Sequence, residues 1–416
     1  MLFRSVFVDN PVGRAFINRK GNIRFEAPLN KGLSAVPEKG RGFFLGRQVD
    51  PWVVNHELAH VFSNLPFHGP FNDNSLHVHF DGGASQSNFS AWLFRDGVFT
   101  LLENHWDLQY LSSLFNANAL TFAIIGAGRY DQNSMPGKFM GYASYGRYDE
   151  KLEQWLARYD YFKDVWKSRR PFFERLRQDW GTDLREMDMH SSVMQDIAAT
   201  VQHVFQRDLL SKMRELQRNT GADDLYYSGG SALNIKANTH LWDGGIFRDI
   251  FIPPCTNDSG LSIGAGACVE WMKHGYVERH TPYLNDWGLG DTDFHYTTTH
   301  LQDVAKLLAD GEVVAVCNGA GETGPRALGN RSILARADDP DLAERVSVAM
   351  KKREWYRPVA PVMLAKNLPG VCPGNHADNL SHFMLRDFTI PPEKRHILRG
   401  VIHVDQTSRI QTLNRR

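Results

Sequence analysis

Two periods of apolar residues divide the chain. Alternation with period two runs through residues 76–80 and 98–102, which are separated by an Arg95-Asp-Gly97 turn, and predicts strands. Residues 225–228 and 250–254 are short strand-like runs bounded by Gly, Pro and Asn, and the first reads as a fully buried strand. A helical period links Met194, Ile197, Val201, Val204, Phe205, Leu209, Met213 and Leu216, and Gly221 ends it. Shorter helices are expected within 149–180 and at 261–269, 301–308 and 339–355, and further strands at 312–317 and 401–413. Residues 6–25 read as a hairpin that turns at Lys20-Gly-Asn22, and residues 52–64 read as a helix. Strands alternating with helices predict an α/β chain.

Bulk numbers narrow this picture only where they exclude something. With 416 residues, of which 42% are hydrophobic, the chain is long enough for two or three packed domains. Lys+Arg and Asp+Glu balance at 47 each, so no net field favours nucleic acid or an anionic membrane, and an anionic ligand needs a local site. The four cysteines form no C-x-x-C pair and suit a reducing compartment. No apolar run has membrane-spanning length, and a cytoplasmic location is expected.

The candidate chemistry is local. Asn55-His-Glu-Leu-Ala-His60 puts His56 and His60 four residues apart, so on a helix both imidazoles share one face and can reach one metal ion. The same letters spell the H-E-x-x-H of zinc peptidases, with Glu57 as general base, and two histidines on a helix are also common without any metal. Asp81-Gly-Gly at a strand end could face a metal or an anion, or simply turn the chain. His77 and His79 share a strand face and read as spectators. Asp258 sits at a strand-to-helix junction, where a metal ligand and a helix cap look alike. Lys138 follows Pro136-Gly137, and Gly229-Gly230 opens a second strand-to-helix turn; both suit phosphate, and both also suit ordinary turns. Residues 318–332 carry Arg326 and Arg331 among four glycines, a loop suited to bidentate phosphate capture.

In this order the segments resemble the O-carbamoyltransferase family of the NodU/CmcH type. The resemblance rests on Asn55-His-Glu-Leu-Ala-His60, Asp81-Gly-Gly, Pro136-Gly-Lys-Phe-Met-Gly141, Gly229-Gly-Ser-Ala-Leu-Asn234 and Asp258-Ser-Gly260. It is strengthened by Gly324-Pro-Arg-Ala-Leu-Gly-Asn-Arg-Ser332, Arg353-Glu-Trp-Tyr-Arg-Pro358 and His403-Val-Asp-Gln-Thr-Ser-Arg409. It implies an actin-like ATPase (ASKHA, TsaD-like) domain over 1–285 and a partial α+β, YrdC-like domain over 300–416. The first would transfer a carbamoyl group to a hydroxyl of a small-molecule or sugar acceptor. The second would form carbamoyl-adenylate from carbamoyl phosphate and ATP. By the same resemblance His56, His60, Asp81 and Asp258 hold a divalent metal, with iron expected and zinc or magnesium as alternatives. Lys138, Gly229, Gly230 and Asn234 hold the nucleotide, and Arg326, Lys351 and Arg357 bind carbamoyl phosphate and polyphosphate. Ala84 stands where many relatives have a further glycine, and the chain is expected to be C-terminally short. Two other readings are a tRNA threonylcarbamoyl transferase, disfavoured by the zero net charge, and the zinc peptidase, which lacks a histidine at the metzincin spacing because position 66 is Pro66.

Overall fold

The computed structural model describes residues 6–9, 23–26, 36–44, 47–108, 124–125, 134–162, 169–286 and 299–414. The turn expected at 20–22 and most of the expected boundary at 282–299 lie outside the described residues.

Among the described residues, six short strands precede the His56–His60 segment. They are β1 (Val6–Asp9), β2 (Ile23–Glu26) and β3 (Glu38–Lys39), followed by β4 (Arg41–Phe44), β5 (Arg47–Val49) and β6 (Trp52–Asn55). β1 pairs in parallel with β6 and β2 pairs antiparallel with β4, so these two described strands of the expected hairpin do not pair with each other; residues 10–22 lie outside the described residues. The expected helix at 52–64 is also corrected. Trp52-Val-Val-Asn55 is extended, and the helix α1 is only His56–Phe62. A β-branched pair suits a strand, and Asn55 marks the switch, its side chain accepting the Leu58 N–H at 2.8 Å as an N-cap.

The core of the fold is a five-stranded sheet of β7 (Ser75–Phe80), β8 (Phe89–Arg95), β9 (Val98–His105), β10 (Asp224–Ser228) and β11 (Asp249–Phe251). Their order is β11-β10-β7-β8-β9. β10 is parallel to both β7 and β11, while β7, β8 and β9 form an antiparallel meander. This is the strand order of an actin-like ATPase domain. The β8–β9 turn has positive φ at both Asp96 and Gly97, the conformation that Asp-Gly favours in a tight hairpin. All residues of β7 and β10 are buried, whereas β9 is the half-exposed edge.

Helices cover both faces. The long helix Ser192–Thr220 buries the stripe expected from its period and ends at the left-handed Gly221. It forms one core with Phe80, Phe89, Tyr142, Trp155 and Tyr227. The opposite face packs α1 and the helix α2 (Leu261–His274), whose contact with α1 is so close that a Cβ on Gly264 would stand 1.8 Å from the Ala59 carbonyl oxygen.

The C-terminal segments form two-residue to four-residue strands in pairs, including 314–317 with 331–334 and 362–364 with 411–413. The expected helix at 339–355 is shorter: α-helical at Pro340–Glu344, π-helical at Arg345–Met350, then irregular. The expected strand at 401–413 is reduced to Thr407–Ser408 and Gln411–Leu413. A small apolar cluster of Leu368, Phe388, Ile390, Val401 and Ile410 holds this region, while Tyr356, Leu380 and Leu385 join the main core. Among the described residues no helix is long and apolar enough to cross a membrane.

Candidate functional site

The carboxyl ends of β7 and β10 point to the same place, the usual position of a ligand crevice in an α/β sheet. Three further elements meet them there. Helix α1 starts at His56, whose N–H donates to Ser85 Oγ at 3.1 Å, and His60 follows one turn later. Asp81 directly follows β7. Asp258 opens the turn Asp258–Gly260 that leads into α2.

The geometry brings together all four residues picked as metal ligands. The Nε2 atoms of His56 and His60 lie 3.0 Å apart. His60 Nε2 is 3.1 Å from Asp81 Oδ2, and Asp258 Oδ1 is 3.3 Å from His56 Nε2 and 3.4 Å from His60 Nε2. Both imidazoles are buried, whereas the Asp258 side chain is 66% exposed and so stands at the mouth. Asp81 is fixed from behind, accepting the N–H of Gly230 at 2.9 Å and that of Gly82. Burial alone would lower the His60 pKa, but hydrogen bonds to Asp258 and Asp81 raise it to about 9. Asp258 is held well below the usual carboxylate range: burial would raise it, and the two histidines overcome that effect. The donor set fits a divalent cation: imidazole nitrogens and carboxylate oxygens face one point, and a cation there could draw on all of them.

His79 corrects the spectator reading. Its ring is stacked 5.1 Å from His60 and lies 6.2 Å from His56, and ligand atoms of His56, His60, His79 and Asp81 all fall within 4.8 Å of one another. His77, two residues earlier, stays in the core, stacked 4.6 Å from Tyr226 and bonded to Ser75. The strand alternation was readable in the sequence, but not which helix would cover that face.

Glu57 does not face the cluster. It is fully buried, and its Oε1 accepts the N–H groups of Gln86 at 2.7 Å and Ser87 at 3.1 Å. The positions picked for nucleotide serve local structure first. Gly229 has φ +100°, and a Cβ there would stand 2.1 Å from the Phe80 carbonyl oxygen, so only glycine fits. Asn234 caps the helix Ile235–Asp243 and pairs with Gln202. Both Gly230 and Asn234 also line the cleft beside the metal-type cluster. Lys138 is placed elsewhere, in an ion pair with Glu354 at 2.6 Å.

That cleft encloses about 1480 Å³ of open space and runs from Asp81 and Asp258 to Arg326 and Arg357. Arg353 and Arg409, which were not picked from the sequence, join Arg326 and Arg357 around an adjoining cavity. Among the described residues, Arg326, Arg353 and Arg409 have no carboxylate at ion-pair distance; Arg357 has Glu354 at 3.2 Å. Burial, then repulsion from Arg357 and Arg353, lowers Arg326 to about 10, and Arg409 is lowered further by burial and by all three neighbours. Lys351 is an exposed residue that lines neither cavity; partial desolvation and the nearby Arg353 and Arg357 lower its pKa. The signal for Arg353 and Arg409 was present in the motifs that contain them, but nothing local says that chain segments more than 50 residues apart share one cavity.

The chain is an α/β protein with a sheet of actin-like ATPase order, in which a histidine–aspartate cluster and a cluster of arginines lie along one cleft. The chain matches the family described as Carbamoyltransferase N-terminus over residues 46–268 and Carbamoyltransferase C-terminus over 305–416. It belongs to the carbamoyltransferase family, of the NodU/CmcH type. Nodulation protein U of Azorhizobium caulinodans is 36% identical over 228 residues, covering 53% of this chain and 40% of that protein. Nodulation protein NolNO of Sinorhizobium fredii is 30% identical over 403 residues, covering 89% and 56%. The chain thus spans about half the length of these curated relatives. Among solved structures, full-length HypF in its phosphate- and nucleotide-bound form aligns at 14% identity and TM-score 0.29, covering 54% of this chain and 36% of HypF. ParM of Bacillus thuringiensis with ATP aligns at 11% identity and TM-score 0.27, covering 56% and 60%.

Proposed function

We propose that the protein takes part in ATP-dependent O-carbamoyl transfer: water cleaves carbamoyl phosphate to carbamate and phosphate, a carbamate oxygen attacks the α-phosphorus of ATP and releases pyrophosphate to give carbamoyl-adenylate, and a hydroxyl of a small-molecule or sugar acceptor displaces AMP from the carbamoyl carbon. The observation that carries this reading is the cleft itself, which has Arg326 and Arg357 at one end, Arg326 without a carboxylate partner among the described residues, and a histidine–aspartate cluster at the other.

Each group has a role in such chemistry. Arg326 and Arg357, extended by Arg353 and Arg409, neutralise carbamoyl phosphate and the departing pyrophosphate, with Lys351 adding charge near Arg353 and Arg357. Gly229, Gly230 and Asn234 give the nucleotide a close approach to the backbone, whereas Lys138, paired with Glu354, stands outside this approach. His56, His60, Asp81 and Asp258 hold a divalent metal, iron by family resemblance. When bound, that ion supplies Lewis-acid polarisation. Asp81, clamped by the Gly82 and Gly230 N–H groups, orients its side of the site, and the exposed Asp258 faces the space where an acceptor enters. The soluble, cytoplasmic setting expected from the sequence suits substrates such as ATP and carbamoyl phosphate.

The test is to incubate the full chain with ATP and carbamoyl phosphate in the presence of Fe²⁺ and to follow carbamoyl-adenylate, pyrophosphate and AMP by mass spectrometry. Carbamoyl-dependent pyrophosphate release is expected. Failure to bind either ATP or carbamoyl phosphate in a folded sample would sink the proposal.

A further inference from the structure

The third histidine at the cluster has a feature that the four-residue set does not explain. His79 is fully buried, and among the described residues its Nε2 has no hydrogen-bond partner. Leaving a buried ring nitrogen unpaired costs about 1–3 kcal/mol. Its other nitrogen is accounted for. β7 and β8 pair with His79 directly opposite Ser90, and that register brings His79 Nδ1 within 3.1 Å of Ser90 Oγ. Ser90 is itself fully buried. If Nδ1 carries the proton and donates it to Ser90 Oγ, the lone pair lies on Nε2. A ring nitrogen of His79 lies within 4.8 Å of the ligand atoms of His56, His60 and Asp81, and Nε2 is the one that Ser90 leaves free.

We propose that His79 is a further metal ligand, binding through Nε2, with Ser90 as the positioning residue that fixes its tautomer. This rests on the metal reading given under Proposed function and deepens it. The ion would then have three imidazoles and Asp81 on its buried side, with exposed Asp258 on the open side. Three neutral nitrogen donors move preference away from Mg²⁺, which seeks oxygen ligands, and toward Fe²⁺, Co²⁺ or Zn²⁺. A ligating histidine held by a hydrogen bond from its other nitrogen is the general pattern of such sites, and removing the outer partner lowers metal affinity by roughly 10–100-fold.

The experiment uses the full chain loaded with Cu²⁺ for pulsed electron paramagnetic resonance, which counts coordinated imidazoles, and with Co²⁺ for affinity by chelator competition. Wild type is expected to show three imidazoles and His79→Leu two, with Co²⁺ affinity at least about tenfold lower. Ser90→Ala, which leaves the ring in place, is expected to keep three imidazoles and to weaken Co²⁺ binding by roughly tenfold. It decides the matter if His79→Leu does not fold. Two imidazoles in wild type, or Co²⁺ affinity within about twofold of wild type in both folded variants, overturns the role of His79 while leaving the four-ligand site standing. Wild type that binds neither ion overturns the metal reading itself, a separate outcome.

Discussion

At the histidine end of the cleft, each charged group faces an opposite one: His60 lies between Asp81 and Asp258, and its raised pKa is the mark of that pairing. At the arginine end, the cations face one another. Arg326 is depressed by Arg357 and Arg353, and Arg409 by all three. The first arrangement is paired without a ligand, and a metal ion entering it would displace a proton. The second raises the energy of the empty protein, and a bound polyanion removes that repulsion. One end is therefore preassembled, and the other gains its stability from substrate.

The largest expected effect breaks the two ends apart. Arg326→Ala removes a phosphate contact worth about 2–5 kcal/mol, so pyrophosphate affinity and carbamoyl-phosphate-dependent turnover fall roughly 30-fold or more. The same variant binds Co²⁺ normally and still consumes supplied carbamoyl-adenylate. His60→Ala does the reverse: it loses Co²⁺ and the consumption of adenylate but retains pyrophosphate. Calorimetry and a discontinuous mass-spectrometric assay read both, and identical loss in the two folded variants would mean a single inseparable site.

Next is the ion pair that ties the arginine end to the sheet. Lys236 meets Asp387 at 2.6 Å and Asp405 at 2.5 Å. Breaking such a buried set leaves two carboxylates uncompensated and should cost about 3–5 kcal/mol in Lys236→Ala, measured by urea denaturation. The pH dependence follows from the signs. Asp405 is held well below the usual range by His403 and Lys236 against the effect of burial, so its contribution is present above pH about 4 and lost as pH falls further. Lys236 is raised by Asp387 and Asp405, again against burial, so its contribution is lost only as pH rises beyond about 10.4. Lys236→Ala should flatten both limbs; unchanged limbs would show that the pair does not hold the region.

A sharper form of the comparison uses ligand alone. Pyrophosphate at a hundredfold excess over its Kd should stabilise the wild type by about 2.7 kcal/mol, and Arg326→Ala much less at the same concentration. If both proteins gain equally in thermal denaturation, the arginines are not the anion site.

The smallest effect concerns Glu57. Its carboxylate holds the backbone at Gln86 and Ser87, so Glu57→Gln should lower stability by about 1–2 kcal/mol while leaving Co²⁺ binding and adenylate consumption near wild type. A peptidase would instead lose its general base and orders of magnitude in rate.

What the sequence made legible was local. The stripe of the Ser192–Thr220 helix could be read because its burial repeats with the helical period, and β7 and β10 could be read as short apolar runs, although both are buried along their whole length. The spacing of His56 and His60 was legible for the same reason. Where strand gave way to helix at Asn55 was missed, although the N-cap residue type was in view. His79 and the arginine cluster depend on which distant segments meet: His79 needs α1 laid over β7, and the cluster needs residues 326, 353, 357 and 409 folded around one cavity. No period within a segment encodes those meetings.

Gly264 sets a mechanical tolerance. The helix that carries His56 and His60 and the helix that begins just after Asp258 touch backbone to backbone there, with no room for a methyl group against Ala59. The spacing between imidazole and carboxylate is thereby gauged by steric contact between two helices and does not wait for the ion to draw them together. A single added carbon at Gly264 would act as a shim, widening the jaws of the site from several residues away without touching any ligand. The separation of these side chains is in this sense machined into the helix packing.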